Sequence, residues 1–405
     1  MIDGWREVLL GDIAEIDLQN LGSKTKPDFE FEYISLSNVE PGRIVGPLEK
    51  CKFADAPSRA RRIVGEGDIL ISTVRPNLLG FARVGSDHRK CIASTGFAVV
   101  KLNKSFEESY IFHLLFTHQL RAQFHALVVG SNYPAINSND VKKLRIVAPP
   151  LFEQRKIAKI LSTWDQAIEV VEELISNSQA QKKALMQQLF FGEERVFGES
   201  WSEVSIGELG EISGAGVDKK TKADEKSVRL LNYLDVLNKD YIFDKDLDHW
   251  VTAPDRQIAS CDIQKGDIFF TPSSETRSDI AHSAVATENI CGSVYSYHVV
   301  RLRLHELWDL NFSAYAFKSP HFFRQAYQLC EGSGQRYVLS QRYFRQMTVH
   351  VPSIQTQRTI GIILRTMDEE IAKFKAIATV LHQEKKALMQ QLLTGNRRVK
   401  MESTK

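Results

Sequence analysis

The octapeptide KKALMQQL occurs twice in the chain, at Lys182–Leu189 and at Lys385–Leu392, an offset of 203 residues. The same offset aligns PPLFEQR from Pro149 with PSIQTQR from Pro352. Upstream, the offset changes slightly but the resemblance persists. WREVLLGDIAEI (from Trp5) matches WSEVSIGELGEI (from Trp201), and GDILIST (from Gly67) matches GDIFFTP (from Gly266). The chain is therefore a unit of about two hundred residues that has been duplicated, with loop insertions between shared elements.

The first part of each repeat mixes short apolar runs with turn residues. YISLSNV, GDILIST and ASTGFAVVKL are predicted strands, because Gly, Asn and Pro bound them. An apolar face indicates one amphipathic helix over Glu107–Val128, with a counterpart over Leu310–Leu329 that Pro320 is able to break. These patterns favour an α+β domain in which strands dominate.

The second part of each repeat is a long helix with a heptad seam. The first such segment, Phe152–Phe191, has no proline or glycine, and Gly192 and Gly395 are predicted stops. Apolar residues recur at alternating steps of four and three, as in coiled coils. The seam positions are Ile157, Leu161, Trp164, Ile168, Val171, Ile175, Ser178, Lys182, Leu185 and Leu189, then Ile360, Leu364, Met367, Ile371, Phe374, Ala378, Leu381, Lys385, Leu388 and Leu392. Ser178 and Lys182 are expected to weaken the seam.

Each seam needs a partner. A helix of ~40 residues is ~60 Å long, whereas a domain of this size is only ~30 Å across. The two seams are therefore predicted to pair, antiparallel, about a pseudo-two-fold axis. The predicted fold is α+β, with two repeated globular domains joined by two long antiparallel coiled-coil helices, a dumbbell. The predicted segments are domain 1 at 1–150, a central helix at 151–192, domain 2 at 193–351, a C-terminal helix at 352–395 and a tail at 396–405.

Composition narrows the class of protein. The 405 residues are 43% hydrophobic and 25% charged, which is typical of a soluble globular protein. A net charge of +2 means that any basic surface must be local. The five cysteines form no C-x-x-C pair and are expected to be free buried thiols of a reducing cytosol. Neither a signal peptide nor an apolar run of ~18 residues is found, so we expect a cytoplasmic protein without a membrane span.

The order and duplication of these motifs resemble the specificity subunit of type I restriction-modification enzymes, over the whole chain except the tail after Gly395. The resemblance implies that the globular parts are target recognition domains, each reading half of an interrupted double-stranded DNA site. It implies helices that set the spacing and dock two methyltransferase subunits, with restriction subunits joining in complexes that cleave. No cofactor is expected on this chain, because S-adenosylmethionine, ATP and Mg²⁺ would belong to the partners. Thr356 departs from the pattern where Glu153 stands in the first repeat.

Divergent polar loops follow the matching strands. Arginine suits guanine, asparagine and glutamine suit adenine, and lysine and serine suit phosphates. The candidate DNA-binding residues are Lys24, Lys26, Arg75, Asn77, Ser131, Asn132 and Tyr133 in the first repeat, and Lys219, Lys220, Lys222, Thr276, Arg277, Gln335, Arg336 and Tyr337 in the second. Ordinary polar surface is the competing interpretation for each of them. Arg59, Arg61 and Arg62 form either a phosphate-contacting patch or a solvated turn.

Apolar residues at the helix ends are candidates for binding a protein partner. Leu185, Leu189, Leu388 and Leu392 are expected to lie where seam pairing leaves them uncovered. The resemblance assigns a methyltransferase subunit to these ends.

No catalytic set emerges from the sequence. His113, His118 and His125 are five and seven residues apart, whereas a metal pair on one helix face needs about three or four. No G-x-x-x-x-G-K-[ST] loop is found for ATP. A non-catalytic DNA-recognition subunit is therefore predicted. Two alternatives stay open: a nuclease with an unrecognised active site, and a coiled-coil adaptor that does not touch DNA.

Overall fold

The structure is a computed structural model that describes residues 4–129, 134–191, 198, 200–333 and 335–399. The chain divides into two compact units. Unit 1 comprises residues 1–172 and 376–405, and unit 2 comprises residues 173–375. Each unit thus contains one globular domain, part of the long helix of its own repeat and part of the long helix of the other repeat.

The elements of the first repeat alternate short strands with short helices before one long helix. The strands are β1 (Arg6–Leu9), β2 (Ala14–Ile16), β3 (Glu30–Ile34), β4 (Val39–Glu40), β5 (Arg43–Ile44), β6 (Glu49–Lys52), β7 (Ala60–Ile63), β8 (Ile69–Ser72), β9 (Phe81–Arg83), β10 (Ile92–Ser94), β11 (Phe97–Leu102) and β12 (Arg145–Ala148). The helices are α1 (Leu10–Ile13), α2 (Glu108–Leu114), α3 (His118–Leu127), α4 (Ser138–Lys142) and α5 (Leu151–Phe191).

The second repeat follows the same plan. Its strands are β13 (Ser202–Ser205), β14 (Gly210–Ser213), β15 (Lys226–Leu231), β16 (Tyr241–Ile242), β17 (Trp250–Ala253), β18 (Ile268–Phe270), β19 (Ser273–Ser274), β20 (Ser283–Ala286), β21 (Ser293–Tyr295), β22 (Val300–Leu304), β23 (Glu331–Ser333), β24 (Arg336–Val338) and β25 (Thr348–Val351). Its helices are α6 (Ile206–Leu209), α7 (Tyr233–Leu237), α8 (Asp255–Ser260), α9 (Leu310–Ala316), α10 (Pro320–Leu329), α11 (Gln341–Gln346) and α12 (Ile354–Leu392).

Two four-stranded sheets and two ribbons, one of them β4 paired with β5, build the globular part of unit 1. One sheet has the order β2-β11-β8-β9, the other β6-β3-β10-β7, and β1 pairs with β12. The GDILIST motif forms β8, whose residues are all buried, because Ile69 and Ile71 pack in one core and Leu70 packs in another. The main core joins this sheet to the large side chains of Phe81, Tyr110 and Phe124.

Unit 2 repeats this arrangement with local changes. Its larger sheet has the order β14-β22-β18-β20-β16, its smaller sheet the order β17-β15-β21, and β13 pairs with β25. The parallel pair β15–β21 matches the parallel pair β3–β10 of unit 1. A three-stranded sheet, β19-β24-β23, is added at the surface.

The single helix predicted over Glu107–Val128 is wrong, because the structure has two helices there, α2 and α3. The Thr117 side chain accepts a hydrogen bond from the Leu120 N–H and so begins a new helix. In the second repeat, Ser319 caps α10 in the same way and Pro320 occupies its first turn. The break that Pro320 predicted is confirmed, and side-chain capping gives the equivalent break in the first repeat without proline.

The long helices pair antiparallel within each unit. In unit 1, Glu172 of α5 lies near His382 of α12, while Asp165 contacts Lys385 further along. Every predicted seam position is buried or half-buried, so the heptad seam is confirmed. The expected stop at Gly395 is also confirmed, since this glycine follows α12 with a left-handed φ of 72°. Gly192 lies outside the described residues.

Two buried glutamines explain part of the repeated helix-start motif. Gln154 donates to the Pro149 carbonyl (2.8 Å) and accepts from the Glu107 N–H (3.0 Å), just before α2. Gln357 makes the same two bonds, to the Pro352 carbonyl (3.1 Å) and from the Asp309 N–H (3.0 Å), just before α9. Each glutamine therefore ties the start of a long helix to the first helix of its domain.

The cysteine prediction needs one correction. All five thiols are free, and four are buried, but Cys291 is exposed on the turn before β21. Burial raises the pKa of the Cys91 thiol to about 11. Among the described residues, no helix is both long enough and apolar enough to cross a membrane.

Candidate DNA-recognition surface

In unit 1, the loop after β8 lies against a segment far along the chain. The Ile136 N–H donates to the Thr73 carbonyl (2.9 Å), and the Arg75 N–H donates to the Pro134 carbonyl (2.7 Å). Arg75 has a left-handed φ of 48°, and its side chain and that of Asn77 are exposed. The structure thus brings the Arg75 loop to residues 134–136. The candidates Ser131, Asn132 and Tyr133 lie outside the described residues.

In unit 2, the equivalent loop makes the equivalent contact. The Leu339 N–H donates to the Pro272 carbonyl (2.8 Å), and β19 pairs with β24 in the register Ser273↔Val338. The Arg336 guanidinium donates to the Ser273 hydroxyl at 2.9 Å. Two sequence-distant candidate loops therefore form one exposed element, which also carries Gln335 and Thr276.

Arg277 differs from the other candidates because its side chain is engaged within the domain. Its guanidinium lies over the rings of Tyr327 (4.3 Å) and Tyr337 (5.5 Å). It also donates to the carbonyl of Cys330 at 3.1 Å. These contacts join the loop after β19 to the end of α10 and to β24, and they hold the Arg277 guanidinium against the candidate Tyr337.

The candidate lysines of unit 2 lie on the loop between β14 and β15. The Val217 N–H donates to the Tyr295 carbonyl (2.8 Å), so this loop runs beside β21. Lys219, Lys220 and Lys222 are exposed, but two of them have acidic neighbours. Lys220 pairs with Asp218 (2.9 Å) and Lys222 with Glu225 (3.0 Å).

In unit 1, Lys24 and Lys26 are exposed on a loop that packs on β7. The Leu21 N–H donates to the Arg61 carbonyl (2.8 Å) within that contact. Of the neighbouring arginines, Arg62 pairs with Asp17 at 2.9 Å and Arg61 lies over the Phe53 ring at 4.8 Å. Both of these arginines have structural contacts.

Comparison with known proteins agrees with this arrangement. Residues 2–177 and 198–382 match the family described as type I restriction modification DNA specificity domain. The chain belongs to this family. Its function within the family is DNA sequence specificity in a type I restriction-modification system.

Two kinds of relative accompany the family match. The type I restriction enzyme MjaVIII specificity subunit of Methanocaldococcus jannaschii is 23% identical over 359 residues, covering 84% of this chain and 81% of that protein. The S subunit of a type I restriction-modification system from M. genitalium has a TM-score of 0.57 at 16% identity, covering 98% of this chain and 97% of that one. A chain solved in work on complex assembly and conformational transition of the type I R-M system has a TM-score of 0.60 at 21% identity, covering 96% and 98%. These structures share the fold.

In this specificity chain, the four leucines expected at uncovered helix ends are not exposed. Leu392 is 3% exposed in the core of unit 1, and Leu388 packs against that core. Leu189 is 6% exposed in the core of unit 2, with Leu185 packed against it. The expectation of uncovered apolar ends is wrong, because each helix end completes the domain core of its unit.

Both seam lysines of this specificity chain have acidic partners. Lys182 forms an ion pair with Asp368 in unit 2, and Lys385 forms one with Asp165 in unit 1. Their side chains are only 15% and 19% exposed. The acidic partners lie on the other long helix, where a scan of one helix at a time does not find them. The 203-residue offset shared by both pairs is the sequence signal that connects them.

Proposed function

We propose that each domain of this specificity chain reads one half of a bipartite DNA site, while the chain itself performs no catalysis. The observation that carries the proposal is the contact made twice, by Thr73 with Ile136 and by Pro272 with Leu339. One scaffold presents exposed loops at the same place in both domains, and those loops differ in sequence. Two different half-sites require this combination, because sequence is read by side chains at base edges and not by the scaffold.

The separation of the two half-sites is assigned to α5 and α12. A heptad seam without exposed positions supports a stiff pair of helices. The ion pairs of Lys182 and Lys385 support one antiparallel register over its alternatives, because a shift by one turn would leave both lysines without their carboxylates.

Methyltransferase docking is assigned to exposed apolar residues of the long helices, in place of the buried leucines. Leu174 is 40% exposed and Ile377 is 47% exposed, and the 203-residue repeat offset relates them. Two equivalent apolar positions suit two copies of one partner. Restriction subunits would join such a complex where cleavage accompanies methylation.

Docking is tested by changing Leu174 and Ile377 separately to Asp in the full chain, co-expressed with the methyltransferase subunit. Each change should remove one of two methyltransferase copies, which native mass spectrometry counts. Leu307→Asp is the matched control, since Leu307 is 96% exposed and lies outside the long helices. Two retained copies in both variants would refute this docking position.

Half-site reading is tested by Arg75→Ala and Arg336→Ala in the assembled complex. Arg336→Ala should relax or abolish reading of one half-site and leave the other intact, and Arg75→Ala should do the reverse. A lost base contact costs about 10-fold or more in discrimination. Methylated-adenine mapping gives the readout, and equal degradation of both half-sites by either variant would contradict the proposal.

The absence of catalysis is tested on the purified chain alone. Incubation with duplex DNA and Mg²⁺ should leave the DNA intact, whereas a stand-alone nuclease would cut it. Salt-dependent binding of the same duplex separates a DNA reader from a coiled-coil adaptor.

A further inference from the structure

The turn between β21 and β22 of unit 2 exposes an aromatic pair that the loop candidates do not include. Tyr297 is 49% exposed, and its ring centroid lies 3.9 Å from that of His298 at an interplanar angle of 37°. The residues on either side, Ser296 and Val299, are buried. A short turn between two buried residues therefore holds the exposed Tyr297 ring against the half-buried His298 ring.

A glycine brings the lysine loop against this turn. A Cβ at Gly216 would lie 2.3 Å from the backbone of Ser296 and Tyr297, so only glycine fits there. The Tyr297 N–H donates to the Val217 carbonyl (3.1 Å), which closes the contact. The close approach holds the backbone of the lysine loop against this turn.

The surroundings of His298 favour its neutral form. Burial lowers the pKa of His298, and the charges of Arg336 and Lys219 lower it further against a smaller opposing effect of Asp218. A neutral imidazole has one donor and one acceptor, the combination that base edges present.

The equivalent turn of unit 1 carries different residues. The parallel pairs Ala93↔Ile34 and Tyr295↔Leu231 set the two repeats in register. In this register Thr95-Gly96 stands where Tyr297-His298 stands in unit 2. The scaffold is shared and the exposed residues differ, which is the pattern expected of an element that distinguishes two half-sites.

We propose that the Tyr297–His298 turn contacts duplex DNA in the half-site read by domain 2, with Lys219 holding a flanking backbone phosphate. The proposal rests on the proposed function, because it assumes that domain 2 reads a half-site. Tyr297 supplies a flat apolar surface for a base or sugar, and His298 supplies hydrogen bonds to a base edge. The aromatic pair thus adds specificity to the positive charge around it, which alone would bind any sequence.

The experiment uses the full chain assembled with its methyltransferase subunits. Tyr297→Ala and His298→Ala together should weaken binding of the cognate duplex about 10-fold or more. Binding of a duplex with a scrambled second half-site should change by less than about 3-fold, because the cations remain. Mapped methylation should lose sequence preference at the second half-site only.

Matched variants keep the result interpretable. Thr95→Ala, at the equivalent turn of domain 1, should leave the second half-site unchanged, and Tyr297→Phe should retain most of the affinity. Unchanged affinity and an unchanged methylated site in the double variant would overturn the proposal, as would equal loss on the cognate and scrambled duplexes with an unaltered thermal midpoint. If the unmodified complex methylates no bipartite site, the proposed function fails instead.

Discussion

In each repeat, an aspartate, a lysine and a ring side chain join the two long helices to a helix of the globular domain. We call this set the anchor, and only its ring side chain differs between the repeats. In unit 1, Asp165 contacts Lys385 and His113; in unit 2, Asp368 contacts Lys182 and Tyr315. The carboxylate and the lysine are retained at the 203-residue offset, while histidine on α2 is exchanged for tyrosine on α9. Both exchanged side chains can donate to the carboxylate, so hydrogen bonding to the acid is what the anchor requires.

The two anchors also differ in the solvent exposure of their aspartates. The Asp165 side chain is 44% exposed, while that of Asp368 is 26% exposed. His113 faces two acceptors, the Asp165 carboxylate at 2.7 Å and the Ser109 carbonyl at 2.5 Å. Unit 2 surrounds its anchor with further buried groups, including Lys318, whose pKa burial lowers despite its pair with Asp240. The anchor of unit 2 is therefore the drier one.

Removal of the carboxylate should give the largest loss of stability, and the loss should be greater in unit 2 than in unit 1. Asp368→Ala leaves the largely buried Lys182 with Asp240, at 3.9 Å, as its remaining acidic neighbour, and should cost about 2–3 kcal/mol. Asp165→Ala should cost about 1 kcal/mol, because water screens the more exposed pair. Amide hydrogen exchange, read separately from peptides of unit 1 and unit 2, measures both losses. Equal costs in the two units would contradict the difference in solvation.

Exchanging the charges tests whether the pair itself matters. Asp368→Lys combined with Lys182→Asp restores opposite charges and should recover part of the loss, about 1 kcal/mol relative to the sum of the single changes. The same exchange of Asp165 and Lys385 should recover less. No recovery in unit 2 would mean that packing, and not the ion pair, holds α5 against α12.

The first turns of α5 and α12 carry a second difference between the repeats. Glu153 is 2% exposed and accepts two bonds of 2.8 Å from Arg398, whereas Thr356 at the equivalent position faces the Ser353 hydroxyl at 3.4 Å. Glu153→Gln should therefore cost about 1–2 kcal/mol in unit 1. Thr356→Val is the control and should cost about 0.5 kcal/mol or less. Faster tryptic cleavage at Arg398 in the Gln variant would accompany the loss, and a variant as resistant as the parent would argue against the pair.

The smallest expected effect is acid sensitivity confined to unit 1. Burial alone would raise the pKa of Asp165, but hydrogen bonds from His113 and Lys385 outweigh it and hold the pKa below its usual value. The resulting stability is present above the unfolded pKa of about 4 and is lost as the pH falls through the lower folded value. Asp165→Asn should remove this component, about 1 kcal/mol or less. An unchanged acid profile of unit 1 in this variant would contradict the assignment.

The sequence predicts the repeat and the seam well because both depend on periodicity within one segment. The seam from Ile157 to Leu189 and its counterpart are covered as expected. Contacts between residues that are far apart in the sequence were not predicted. The acid that pairs with Lys182 lies 186 residues away, and the rings beside Arg277 belong to Tyr327 and Tyr337, so neither contact can be read from the neighbouring sequence.

Comparing the two repeats gave candidate residues where aligned loops differ in sequence. It did not give Tyr297 and His298, which have no aromatic counterparts in the first repeat. Comparing the loops after β8 and β18 and the segments near the domain ends gives the candidates Arg75 and Arg336, and in both repeats the structure joins the loop to the later segment. Tyr297 and His298 follow a strand whose partner loop is set by the close approach of Gly216, and this contact is visible only in three dimensions.

The most direct test of the central claim is a map of methylated adenines made by the complex that contains this chain. If the two domains read independently, the map should show one bipartite site with two different half-sites at a fixed separation. In that map, Arg336→Ala should alter one half-site without changing the other or the gap. A single continuous recognition sequence, or a map in which this change alters both halves together, would contradict a chain built from two separate readers.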